Sequence, residues 1–454
     1  MISELEYFDL KLGLYDTLVS LLYFGLVYIL AFHYKRKKIK TNPVYKYFIL
    51  GLTSKVFGGL AFGFLIVYYY GGGDSLGYYK ASLEFSHLLF KDPIKALDLF
   101  FTNGDYIDLA GTTFNPWAYE FINGEEIFFL VKITTLLNIL ALHSYGSTTV
   151  LFASISFLGL WFAFSNFCKI YPRYKKHLFI SFFMLPSIML WGSGILKDTV
   201  TLGCIGWLIY SFSNIFIFKR KILLSIIITI VAIFMIKTLK PYILYILLPS
   251  LLIWGQTNLK NLIKGSFIRI ILIPSIVLTI SIGTFYALQG ISSGAGRYDI
   301  NNLERTLEGF QSWHGYLAET RDQSGYTLGE IEFTPIGYLK SAPAAFNVTF
   351  FRPYIWEIRN VATLMGALES LFVFLFFMYL ILKFRWQFFK IIFQNKDILF
   401  MMIFSILFGI SVGISSYNFG ALSRYKMPAQ LLFVTALFLI YNIARDEKKT
   451  FRNQ

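Results

Sequence analysis

Hydrophobic positions in this chain come in long unbroken runs rather than in the alternating or three-to-four spacing of a soluble domain. Stretches near the roughly 20 residues that cross a bilayer as a helix lie at 16–33, 48–70, 147–167, 178–194, 199–217, 222–239, 242–257, 266–288, 363–382, 398–416 and 425–443. These predict about 11 transmembrane helices. A further run, "IFFLVKITTLLNILALH" at 127–143, is shorter and holds Lys132 and Asn138. No repeat or low-complexity linker divides the chain. The pattern therefore predicts an all-α polytopic integral membrane protein, one transmembrane domain over 1–454, with two long loops at 71–146 and 289–362.

Composition agrees. Hydrophobic residues make up 56% of the 454 and aromatic residues 19%, and mean hydropathy is +0.59, beyond what a soluble domain carries. The acidic opening "MISELEYFDL" lacks the basic start of a cleaved signal peptide, so the first helix is expected to be retained.

Charge then sets the expected topology. The 41 basic and 26 acidic residues leave +15, which in a soluble protein would point to nucleic acid. Here the cations cluster in short loops: "KRKKIK" at 35–40, "KIYPRYKK" at 169–176, "KRK" at 219–221, Lys260 with Lys264, "KFRWQFFK" at 383–390, and the tail. Short basic loops stay cytoplasmic. If 127–143 does not cross, all six clusters share one face and the two long loops share the other. We therefore expect 127–143 to be a juxtamembrane or re-entrant helix, the N-terminus to be extracytoplasmic and the C-terminus cytoplasmic. The charge is then mostly topology, and nucleic acid is not an expected partner.

Polar residues on the expected outer side are the candidates for function, because ionisable groups at the membrane are costly to keep. In "YYYGGGDSLGYY" Asp74 follows three glycines where the second helix emerges. "WGSGILKD" supplies Lys197 and Asp198, and "KTLKPY" supplies Lys237, Lys240 and Tyr242. "FFRPYIWEIRN" supplies Arg352, Trp356, Glu357 and Arg359, and "NFGALSRYKMP" supplies Arg424 and Lys426. Glu369 lies about two turns inside its helix. Each has an ordinary structural reading, as a helix cap, local ion pair or interfacial aromatic. Together, several cations and a carboxylate suit an anionic, lipid-linked substrate, the cations holding phosphate and the carboxylate taking a proton.

An Asp in the first large outer loop, just after a transmembrane helix and followed by an aromatic pair, resembles the GT-C superfamily of membrane glycosyltransferases. The segment "ASLEFSHLLFKDPIKALDLFF" and the non-crossing 127–143 are similar to that family's juxtamembrane helices. "SGILKD", "RPYIWE" and "NFGALSRYKMP" also resemble strings in bacterial exopolysaccharide and O-antigen membrane proteins. The chain departs from the family in an extra helix before the Asp loop, in lacking a second acidic residue beside Asp74, and in lacking a WWD-type motif. The resemblance implies a polyprenyl-(di)phosphate-linked sugar or oligosaccharide as donor, a glycan or lipid as acceptor, and membrane lipid as surroundings, in a bacterial inner membrane.

On that basis Asp74 is the expected catalytic base, and Arg424, Arg352, Lys426, Lys197 and Lys240 the expected phosphate ligands. The two arginines rank first because a guanidinium fork matches phosphate oxygens. Asp198, Lys237, Trp356, Glu357, Glu369 and Tyr242 are supporting residues. Trp313 and His314 in the second long loop are candidates to cover the acceptor, with His314 a supporting residue and the alternative to Asp74 as base. No cofactor is called for, and a divalent metal stays open. Neither Cys168 nor Cys204 has a spacing that suggests a metal site or disulfide, and nucleotide-loop and HExxH patterns are absent. Three other readings stand beside the transferase: a polymerase joining lipid-linked repeat units, a lipid-linked glycan flippase or transporter, and a non-catalytic subunit of an assembly machine.

Overall fold

The computed structural model describes residues 10–101, 115–122, 124–255, 309, 325–329 and 334–452. Among them the chain is helical, with no strand and one isolated bridge, Gly325 to Asn418. It is an all-α polytopic membrane protein. In chain order the helices are α1 (Leu14–Ile39), α2 (Phe48–Phe64), α3 (Asp74–Lys91), α4 (Pro93–Phe101), α5 (Pro116–Ile122), α6 (Glu125–Leu140) and α7 (Tyr145–Ile170). They continue with α8 (Lys175–Phe183), α9 (Pro186–Leu190), α10 (Lys197–Phe212), α11 (Ile222–Leu239), α12 (Tyr242–Gly255) and α13 (Pro335–Phe351). The last five are α14 (Val361–Phe384), α15 (Trp386–Gln394), α16 (Lys396–Ser416), α17 (Phe419–Tyr425) and α18 (Met427–Arg452).

Eight segments among the described residues are long and apolar enough to cross a membrane. They correspond to eight of the eleven apolar runs. The other three differ. The run 178–194 is not one helix: α8 stops before Pro186, which opens α9. Proline lacks the amide that would continue the ladder and disfavours helical backbone in the residue before it. The run 242–257 becomes α12, 14 residues with Pro249 inside, and 266–288 lies outside the described residues. The run at 127–143 is α6, whose 16 residues reach about 24 Å at 1.5 Å each, short of a roughly 30 Å hydrocarbon core.

The chain folds as two compact units. The first comprises Met1–Lys169, Ile188–Ser211 and Ile226–Pro241. In it α3 packs on α4, α5 and α6, so the first long loop is largely helical where it is described. Only 11% of the apolar stretch of α1 is buried, leaving Leu14, Leu18, Leu21, Ile29 and Leu30 outward. An apolar face of that extent is stable against lipid rather than water. Helices α7 and α10 cross where side chains vanish: a Cβ on Gly159 would stand 2.0 Å from the Gly203 carbonyl oxygen, and one on Gly206 would stand 2.4 Å from the Gly159 carbonyl carbon. Small residues permit this approach inside lipid, where helices associate through close packing rather than hydrophobic transfer.

The second unit comprises Ile170–Ser187, Phe212–Ser225 and Tyr242–Gln454. Its centre is α18, 89% buried over its apolar stretch and packed against α8, α14, α15 and α16. Helix α16 also packs on α12 and α13. Phe433 of α18 meets Phe350 of α13 at 4.3 Å between ring centres and Phe377 of α14 at 5.8 Å. Polar stitches join the same helices: Thr435 Oγ1 donates to Ser181 Oγ at 2.9 Å, and Ser405 Oγ to the Ala429 carbonyl at 3.0 Å.

Candidate functional site

The expected site residues fall in both units. In the first, Gly71 (φ +64°) and Gly73 (φ +122°) turn the chain out of its helix, a backbone open to glycine. Asp74 is the first residue of α3 and is exposed. The helix behind it is tightly held: Ser75 Oγ and the Tyr145 hydroxyl lie 3.0 Å apart, and the Tyr79 hydroxyl donates to the His143 carbonyl at 2.7 Å. Asp16 of α1, which the sequence reading passed over, accepts from the Tyr145 amide at 2.7 Å.

The loops "WGSGILKD" and "KTLKPY" do meet. Lys240 Nζ lies 2.5 Å from Asp198 Oδ1, with the two side chains 7% and 3% exposed. Lys197 Nζ lies 3.7 Å from Glu126 Oε2. Lys237 sits in the last turn of α11. Asp198 and Lys240 therefore answer each other's charge inside the unit, the arrangement of a structural clamp.

Lys55 was not foreseen. It is fully buried midway along α2 and donates to the carbonyls of Ile188, at 3.0 Å, and Gly192. The carbonyls are those at the end of α9 and in the turn beyond it, which have no partner within the helix. Ser156 Oγ donates to the same Gly192 oxygen at 3.0 Å. A lone lysine in the run "FILGLTSKVFGGL" was the available signal, since an intramembrane cation marks a constrained site.

In the second unit the loops around Arg352 and Arg424 come together. Arg352 Nε donates to both oxygens of Glu357, at 3.1 and 3.0 Å, and Nη2 closes a second bond to Oε1. The Tyr354 amide donates to Glu357 Oε2 at 2.7 Å. Burial pushes the Glu357 carboxyl upward, but these hydrogen bonds and the Arg352 charge outweigh it and leave the group below its ordinary range. Aromatic rings box the guanidinium: Phe419 at 5.2 Å, Tyr354 at 5.7 Å and Tyr326 at 5.8 Å to the ring centres, within reach of cation–π attraction. Beside the box Trp356 is 80% exposed, its ring 4.9 Å from that of Tyr354.

Lys426 is buried, and its Nζ donates to the Thr349 carbonyl at 2.9 Å, to Ser370 Oγ at 3.1 Å and to the Arg352 carbonyl at 3.4 Å. Those contacts take all three ammonium protons and pin the end of α13 beneath Arg352. Burial pulls its pKa down to about 8, with the Glu369 charge acting the other way. Glu369 is buried and accepts from the Ser187 amide and hydroxyl, both at 2.7 Å. Arg424 is half-buried on α17, 6.0 Å from the Tyr425 ring centre. Tyr242 stacks on Phe408 with centres 6.0 Å apart, a packing role. Trp313 and His314 lie outside the described residues.

A second unforeseen group is Asp397, buried in the first turn of α16. It accepts from the Tyr171 hydroxyl and from Trp254 Nε1, each at 2.6 Å. Among the described residues no three His, Cys, Asp or Glu side chains are grouped so as to hold a metal ion. The chain matches no family model, no curated protein and no solved structure.

Proposed function

We propose that this membrane protein transfers glycosyl groups from a polyprenyl-(di)phosphate-linked sugar to a glycan or lipid acceptor at the extracytoplasmic face of a bacterial inner membrane, in cell-surface polysaccharide synthesis. The observation that carries this reading is the arginine box of the second unit. Arg352 presents a fork suited to phosphate oxygens, and the exposed ring of Trp356 beside it offers an apolar face of the kind sugar rings stack against. In this reading Arg352 exchanges part of its bond to Glu357 for the donor's phosphate and meets the negative charge that grows on the leaving oxygen as the glycosidic bond breaks. Lys426 is a positioning residue that holds the Arg352 backbone. The sequence reading assigns the base to Asp74 of the first unit.

The test is binding of an undecaprenyl-phosphate-linked monosaccharide to the purified full chain, followed by native mass spectrometry. Wild type should retain it. Trp356→Ala should weaken retention at unchanged melting temperature, because an exposed ring contributes little to the fold, and Arg352→Ala should abolish it. Equal retention by all three proteins would refute the assignment of the donor phosphate to this site.

A further inference from the structure

At the far end of α14 the second unit carries a feature that glycosyl transfer does not use. Helix α15 is short and two-faced: Phe388, Ile391 and Ile392 are buried, whereas Trp386 is 72% and Phe389 42% exposed. The exposed rings lie at i and i+3, with centres 6.2 Å apart. Lys383, Arg385 and Lys390 are exposed around them. From α18, Lys448 reaches the same corner, its Nζ 3.5 Å from the Lys383 carbonyl and 4.9 Å from the centre of the Phe384 ring. Facing carboxylates are engaged: Glu447 accepts from the Gln387 amide at 2.8 Å, and Asp446 accepts from the Tyr174 hydroxyl at 3.1 Å and lies 3.7 Å from Arg445 Nε.

The backbone adds an independent observation. Arg385, the residue between α14 and α15, has φ +46°. Glycine adopts that conformation without cost, whereas a side chain there is strained. A cation stands where the turn alone would favour glycine.

We propose that α15 and its basic rim bind the headgroup of an anionic phospholipid. Trp386 and Phe389 lie at the headgroup boundary, where amphipathic rings settle. Lys383, Arg385, Lys390 and Lys448 meet the phosphate, a clustering of cations that attracts anionic lipid. Charge complementarity selects the anionic headgroup over a zwitterionic one of the same size.

The full chain, purified in detergent, is titrated with phosphatidylglycerol or phosphatidylcholine and bound lipid is counted by native mass spectrometry. Wild type should prefer phosphatidylglycerol by about tenfold or more, and K383Q/R385G/K390Q should lose most of that preference. R385G alone relaxes the turn, keeps the fold and should lower the preference several-fold. W386A/F389A should retain less of both lipids. Equal retention of the two lipids by wild type would overturn the proposal. So would an unchanged preference in R385G and the triple variant, or displacement of the lipid by an equal concentration of inorganic phosphate.

Discussion

Asp198→Asn provides a sharp test of how the first unit is held. The carboxylate and the Lys240 ammonium stand 2.5 Å apart with almost no exposure, so their attraction is only weakly screened. At an effective dielectric of 20, Coulomb's law gives about 6–7 kcal/mol for unit charges at that distance, much of it offset by the cost of taking both ions out of water. Breaking such a pair from one side costs about 3–5 kcal/mol, because the surviving charge stays buried. At about 2–4 °C per kcal/mol for a unit of this size, Asp198→Asn should lower the apparent melting temperature in detergent by about 6–20 °C. The double variant Asp198→Asn/Lys240→Met should recover at least half of that loss. The assay is a melting curve of each single and double variant at pH 7.5 in one detergent. A loss below about 1 kcal/mol, as an exposed pair would give, or a double variant worse than the sum of its singles, would refute the buried-pair reasoning.

Other consequences can be read from the same kind of measurement. Lys55→Ala withdraws the donor from the Ile188 and Gly192 carbonyls; Gly192 keeps Ser156 Oγ, so the loss of the Ile188 bond should cost about 1–3 kcal/mol while leaving helix content by circular dichroism unchanged. Gly159→Ala places a methyl against the Gly203 carbonyl and should cost about 1–3 kcal/mol, read as a lower melting temperature, whereas Gly25→Ala, with open space around it, should not. Lys426 has a folded pKa lowered to about 8 from an ordinary 10.5, so between those values the unfolded chain binds the extra proton and stability rises with pH. Wild type should therefore gain up to about 3 kcal/mol on going from pH 8 to pH 10.5 relative to Lys426→Met; the same pH slope in both proteins would contradict this.

Much of the fold was legible because apolar length is a local property. Eight long runs became eight helices of crossing length, and the glycines before Asp74 took the positive φ values that let the chain turn. The run 178–194 misled for a physical reason: hydropathy does not register that Pro186 cannot donate to the helix ladder. Within each unit, the grouping of polar loops was partly legible. The structure brings together Asp198 with Lys240, and Arg352 with the loop around Arg424, residues of loops that the charge pattern assigned to one expected face. What each cation does there was not legible, since Lys426 spends its protons on backbone and hydroxyl oxygens supplied by two other helices and their connecting loop. Lys55 and Asp397 were missed because their partners are remote in the chain: Lys55 bonds residues 133 and 137 positions away, and Asp397 bonds residues 226 and 143 away. No local pattern announces such a partner.

The most direct test of the proposed glycosyl transfer is surface glycan made by cells that lack this chain and are complemented with wild type, Asp74→Asn or Arg352→Ala/Trp356→Ala, with membrane levels of each protein matched by blot. Glycosyl transfer through these residues requires glycan with wild type and its loss, with build-up of the lipid-linked donor, in both variants. Full glycan from both variants at equal protein levels would contradict it.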